Sequence, residues 1–197
     1  MAQVITHESE HHDTYSKTLF GFWLYILTDC VLFSVLFAAY AVLHNATFGG
    51  PSGNVLFNPS FTLWETMILL VSSFTCGLSS VVPFAKNKKR VVACLVITVL
   101  LGISFLCMEL TEFTHLVRSG NSWERSAFLT SFFTVVGTHG CHITCGILWM
   151  IVMIVQVSAR GLTPIILRRL ACLRLFWHFL DVVWIFIFTL VYMMEIK

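Results

Sequence analysis

The sequence predicts an all-α integral membrane protein, a bundle of five transmembrane helices, and three observations carry that prediction. Of its 197 residues, 57% are hydrophobic and 11% charged, against about 25% charged in an ordinary soluble domain. Five apolar stretches each reach the about 20 residues needed to cross a hydrocarbon core. The basic residues gather in alternate connections between those stretches. Too little polar sequence remains to build a second, soluble domain, so the bundle itself is the domain.

Residues 1–17, MAQVITHESEHHDTYSK, form a polar N-terminal tail with three histidines and a single lysine. That composition lacks the basic start of a secretory signal. His7, His11 and His12 could grip a metal, but a mobile terminal tail is the simpler reading of them. The predicted spans then run from Thr18 to Leu43, Thr62 to Ala85, Val91 to Val117, Ser126 to Val157 and Ala171 to Met194. Together with the tail they divide the chain into residues 1–17 and a five-helix domain over 18–197.

The connection NATFGGPSGNVLFNPSF, rich in Gly, Pro, Asn and Ser and free of Lys and Arg, reads as an external loop. KNKKR, and the stretch holding Arg160, Arg168, Arg169 and Arg174, read as cytoplasmic loops. With Lys17 these place nine of the twelve basic residues on one side, leaving Arg118, Arg125 and Lys197 on the other. The positive-inside rule therefore puts the N-terminus in the cytoplasm and the C-terminus outside. Trp23, Trp64, Trp123 and Tyr192 fall near span ends, where amphipathic rings settle. A net charge of +2 offers no field for nucleic acid. The seven cysteines sit almost entirely in apolar runs without C-x-x-C pairing and behave as small packing residues. Ser72, Cys76 and Ser80 on the second helix, and Gly137, Cys141 and Cys145 on the fourth, form small-residue ridges that admit close helix approach. No internal repeat supports an alternating-access transporter.

Ionisable residues inside the spans are costly and therefore informative. Asp29 lies near the middle of the first helix, where a charged carboxylate costs about 2.5 to 3.5 kcal/mol. It is either a proton-carrying acid or a hydrogen-bonded one that fixes helix register. Glu109, Glu112 and His115 follow at three-residue steps toward the outer end of the third helix, where the simplest expectation is solvation. Glu65 begins the second helix, where a carboxylate suits the positive end of the dipole. His139 and His142 stand three apart at mid-membrane on the fourth helix. They are candidates for hydrogen bonds to Asp29, Asp181 or Glu109; a b-type haem would require one of them to pair with His178 on another helix. On the fifth helix His178 and Asp181 share a face, with Trp177 and Trp184 beside them. A proton channel using Asp29 and Glu109 is the alternative from another functional class.

Taken in order, FGFWLYILTD, WE, MELTEF, GTHGCHITCG and FWHFLDVVWIF resemble subunit III of the haem-copper respiratory oxidases across about Leu19 to Tyr192. Mitochondrial-type members have seven helices. This chain has five and begins where their third would, as in the bo-type branch of bacterial quinol oxidases, although some bacterial cytochrome c oxidases share the five-helix form. The resemblance implies a non-catalytic subunit of a terminal oxidase in the bacterial inner membrane, so that the outer face is periplasmic. Haems and copper are then expected in the catalytic subunit I, none in this chain, and phospholipid is expected as a bound partner. It implies a role in assembly, stability and proton uptake, and sets Asp29 where the family carries a membrane-buried carboxylate, usually Glu.

Overall fold

The computed structural model describes residues 2–47, 59–79 and 87–193, with the side chains of residues 16–47, 60–79 and 87–193. Among the described residues five helices cross the molecule: α1 (Ala2–Leu43), α2 (Pro59–Leu78), α3 (Lys88–Arg118), α4 (Ala127–Arg160) and α5 (Pro164–Ile187). α5 continues as a π-helical segment over Phe188–Met193. All five contain windows long and apolar enough to span a bilayer.

Each helix begins earlier, ends later, or both, than its apolar run suggests, because polar residues extend a helix as readily as they flank one. α1 runs back to Ala2 through the segment expected as a tail; no Gly or Pro interrupts residues 2–17. The side chains of His7, His11 and His12 lie outside the described residues. Lys88, Lys89 and Arg90 belong to the first turn of α3 rather than to a loop, because Asn87 caps it by accepting from the Lys89 amide at 3.1 Å. α5 starts seven residues before the expected Ala171 for the same reason. Thr163 caps it with Pro164 at the first helical position, and Arg168, Arg169 and Arg174 lie on the helix itself, not in a loop. Thr163→Ala is expected to cost about 1 kcal/mol, read as a lowered thermal midpoint of the detergent-solubilised protein.

α5 is the hub. α1, α4, α3 and α2 form an arc around it in that order, each packing on the next, and α1, α4 and α2 pack on α5 itself. Trp177 locks the centre: glycines at Gly102 on α3 and Gly146 on α4 leave room for its ring, so near that a Cβ at those positions would lie 2.9 and 3.0 Å from ring carbons. Its indole N–H donates to Ser72 Oγ on α2 at 3.1 Å, and Ser72 in turn donates to the Thr98 carbonyl of α3 at 3.4 Å. One turn-pair further along α5, Trp184 donates to Thr66 Oγ1 at 3.0 Å. Hydroxyls thus take up the indole donors, as a dry interior requires.

The small-residue ridge on α2 is real at Ser72 and Cys76, both buried; Ser80 lies outside the described residues. On α4 the expected ridge is displaced. Cys141 and Cys145 are exposed, and the glycines that admit neighbours are Gly140 and Gly146. Trp23, Trp64 and Trp123 are exposed, but Tyr192 is fully buried, because the π-helical segment turns it inward.

Candidate functional site

The polar residues of the spans resolve into three separate groups, each seated where two or more helices meet.

The first joins α1 to α4. Asp29 Oδ1 lies 3.8 Å from His142 Nε2, and both side chains are largely buried. His142 Nδ1 stands 2.8 Å from the Thr138 carbonyl one turn back. A carbonyl only accepts, so Nδ1 carries the proton, and in the neutral ring Nε2 is bare. Asp29 and His142 therefore face each other as a carboxyl group and the bare nitrogen of an imidazole, 3.8 Å apart and just beyond hydrogen-bond distance. Phe33 covers the ring, with centroids 5.2 Å apart.

The second gathers Glu65 of α2, Glu109 and Glu112 of α3, and Tyr192 of the π-helical segment. Tyr192 donates its hydroxyl to Glu112 Oε2 at 2.9 Å, and Glu65 is close enough to Glu112 and Glu109 for their charges to interact. Solvation was the expectation for the α3 acids, and it holds only for the exposed His115. Glu109 is buried, its carboxylate pressed on Gly140 of α4, where a Cβ would come within 2.8 Å of Oε1. The difference follows from one hundred degrees per residue: three-residue steps drift around the helix, carrying Glu109 inward and His115 outward. Glu65 is not a helix-start acid either. α2 begins at Pro59, which leaves Glu65 beyond the first turn, fully buried, with both oxygens lacking a hydrogen bond among the described residues. Its spacing to Thr62, Thr66 and Leu69, all buried, is the periodic signal that could have placed it inward.

The third lies between α2 and α5. His178 Nδ1 is 2.6 Å from Ser73 Oγ and 3.6 Å from Asp181 Oδ2. The Ser73 partner was not foreseen, although Ser73 shares a face with Gly77 and so pointed to a close contact. His139 belongs to none of these groups. It is fully buried in an aromatic box, stacked on Trp184 at 5.3 Å with Phe105 edge-on at 6.0 Å, and neither ring nitrogen has a hydrogen-bond partner among the described residues. Its expected bond to Asp29, Asp181 or Glu109 is absent there because His142, one turn on, takes the Asp29 side. The three mid-membrane histidines thus face three different surroundings. Among the described residues, no three His, Cys, Asp or Glu side chains converge as a metal-ligand set.

The chain matches the family model described as cytochrome c oxidase subunit III over residues 1–196. It is 52% identical to the cytochrome bo(3) ubiquinol oxidase subunit 3 of Pseudomonas aeruginosa, over 98% of this chain and 93% of the relative. It is 46% identical to the protein of that name from Buchnera aphidicola subsp. Baizongia pistaciae, over 91% of this chain and 92% of that one. The quinol oxidase subunit 3 of Bacillus subtilis is 44% identical, over 92% of this chain and 89% of its own length. The five membrane-length helices, the interhelical acids and histidines and these matches agree: the chain belongs to the cytochrome c oxidase subunit III family.

Proposed function

We propose that this chain is the non-catalytic third subunit of a proton-pumping ubiquinol oxidase of the bacterial inner membrane. The observation that carries the proposal is the near full-length match to relatives named as ubiquinol oxidase subunits 3. The catalytic subunit I, carrying haems and copper, is the partner that transfers quinol electrons to oxygen; this chain supports its assembly, stability and proton uptake. The family description itself names a cytochrome c oxidase, which makes reduced cytochrome c the competing donor. Affinity purification of the chain from its native membrane, followed by a visible spectrum and oxygen uptake, separates the two. Co-purified haem with quinol-driven uptake is expected. Uptake driven only by cytochrome c changes the donor, and a colourless lone chain overturns the proposal.

The basic end of the bundle faces the cytoplasm. Lys88 at the start of α3 donates to the Ser158 carbonyl at the end of α4, and Arg169 of α5 donates to Gln156 at 2.8 Å, so three helices are tied together at that end. A cavity of about 350 Å³ opens there between Phe22, Trp149, Ile165, Arg168 and Arg169. Two guanidinium groups above aromatic walls fit an anionic phospholipid, with the headgroup on the arginines and a chain along the rings.

Asp29 and His142 form the proton-linked pair, and Glu109, His139 and Asp181, which lie apart from it, set helix packing elsewhere in the bundle. Asp29→Asn keeps a donor and an acceptor but cannot take up or release a proton. It is expected to leave assembly intact and to lower sustained proton-coupled turnover of the purified complex; failure of the complex to form assigns Asp29 to structure instead.

A further inference from the structure

The arc around α5 does not close. Among the described residues α1 and α2 do not pack extensively on each other, and the gap leaves one stripe of α5 uncovered there: His178, Val182 and Ile185, at helical spacing, are 41%, 51% and 45% exposed, the first by its side chain alone. The adjoining edge of α2 presents Met67, Leu70 and Phe74 as a second exposed stripe. Between the two runs a groove of about 340 Å³, lined by Leu70, Ser73, Phe74, Gly77, Leu78 and His178.

Its depth decides what covers it. His178 is the fifteenth of the 30 residues in the membrane-length segment Pro164–Met193, about 13 Å along the helix axis from Arg169 at the basic end, which sets it inside the hydrocarbon core. Ser73 and Asp181 both lie on the Nδ1 side of the ring. Nε2 opens beside Gly77, 3.8 Å from where a Cβ there would stand. Hydrocarbon chains offer an imidazole nitrogen no partner, and polar groups at this depth face protein or water. The missing side chain at Gly77 leaves the groove floor low enough for another helix to come close. Apolar ridges on both sides and one hydrogen-bonding group midway are what a membrane helix with a single polar residue would match.

We propose that the groove between α2 and α5 seats a transmembrane helix of a partner subunit, which sets a hydrogen-bonding side chain against His178 Nε2 inside the hydrocarbon core. This rests on the chain being a subunit of an oxidase complex and adds the surface by which it is held. The test keeps His178 intact: a photoreactive benzophenone amino acid replaces Phe74 in the tagged chain, native membranes are illuminated, and the chain is purified with its partners. An adduct between Phe74 and a transmembrane segment of a larger subunit is expected. Labelling of lipid alone, or of a second copy of this chain, in a preparation that retains haem overturns the groove and leaves the subunit assignment standing. A preparation without haem overturns both. As a second measurement, His178→Leu is expected to reduce severalfold the fraction of the chain retained on the oxidase after detergent washing, with His178→Gln retaining more; retention of His178→Leu at the wild-type level also overturns it.

Discussion

Trp177→Ala is expected to destabilise the bundle by about 3 kcal/mol, the lower end of the range for removing a buried indole. The lower end applies because lipid already solvates apolar groups, so that the loss is of packing and cavity rather than of transfer from water. The ring fills the space that two glycines on two other helices leave open, and its N–H bonds a third helix. Its removal therefore empties a point where α2, α3, α4 and α5 meet. The lost bond leaves Ser72 Oγ without its indole donor, a further loss of about 1 kcal/mol. Thermal unfolding of the detergent-solubilised protein, followed by accessibility of the buried Cys76 and Cys172 thiols, measures the effect. Trp177→Phe is expected to recover more than half of the stability, since it restores most of the ring volume and lacks only the donor. Equal loss for Ala and Phe would show that the hydrogen bond, not the packing, holds the centre.

Gly146→Leu is expected to cost about 2 kcal/mol or more from the opposite cause, overpacking. A Cβ at Gly146 meets two ring carbons of Trp177 at 3.0 and 3.1 Å and one of Phe176 at 3.3 Å. Both are rigid aromatic groups in a buried centre and cannot step aside by rotating a terminal bond. Replacing a helical glycine would normally gain up to about 1 kcal/mol, so Gly146→Ala measures the balance: the helix gain against a clash of a few tenths of an ångström. The expected order of thermal midpoints is wild type close to Gly146→Ala, with Gly146→Leu well below. A leucine variant as stable as wild type would mean that α4 can move away from α5.

The five helices were legible because each contains an apolar run long enough to span, and the family because its motifs follow one another in order along those runs. The helix ends were less so. Arg168 and Arg169 look like a loop by charge, yet a Thr-Pro start upstream commits the backbone to helix before either is reached. Partners across helices were the least legible. His139 and His142 differ by three positions and by sixty degrees around the axis, which tells that they diverge but not which meets Asp29. Glu109 could be placed only once Gly140 was known to stand opposite. Within one helix, periodicity assigns a face; between helices, the azimuth of each about its own axis must be known, and no local pattern carries it.

The hub of the bundle is also the last of these five helices in chain order, and so the last of them to be synthesised. While α1 to α4 emerge from the ribosome and enter the bilayer in turn, the surface they will share has nothing to close on: Glu65 and His139, and the glycines that await Trp177, face a space that α5 has yet to fill. Each of those polar groups would then border lipid unless an insertion factor or a partner subunit shields it. The order of the chain thus imposes a waiting period on assembly, and a transcript cut short before residue 164 would yield four inserted helices with no axis to gather round.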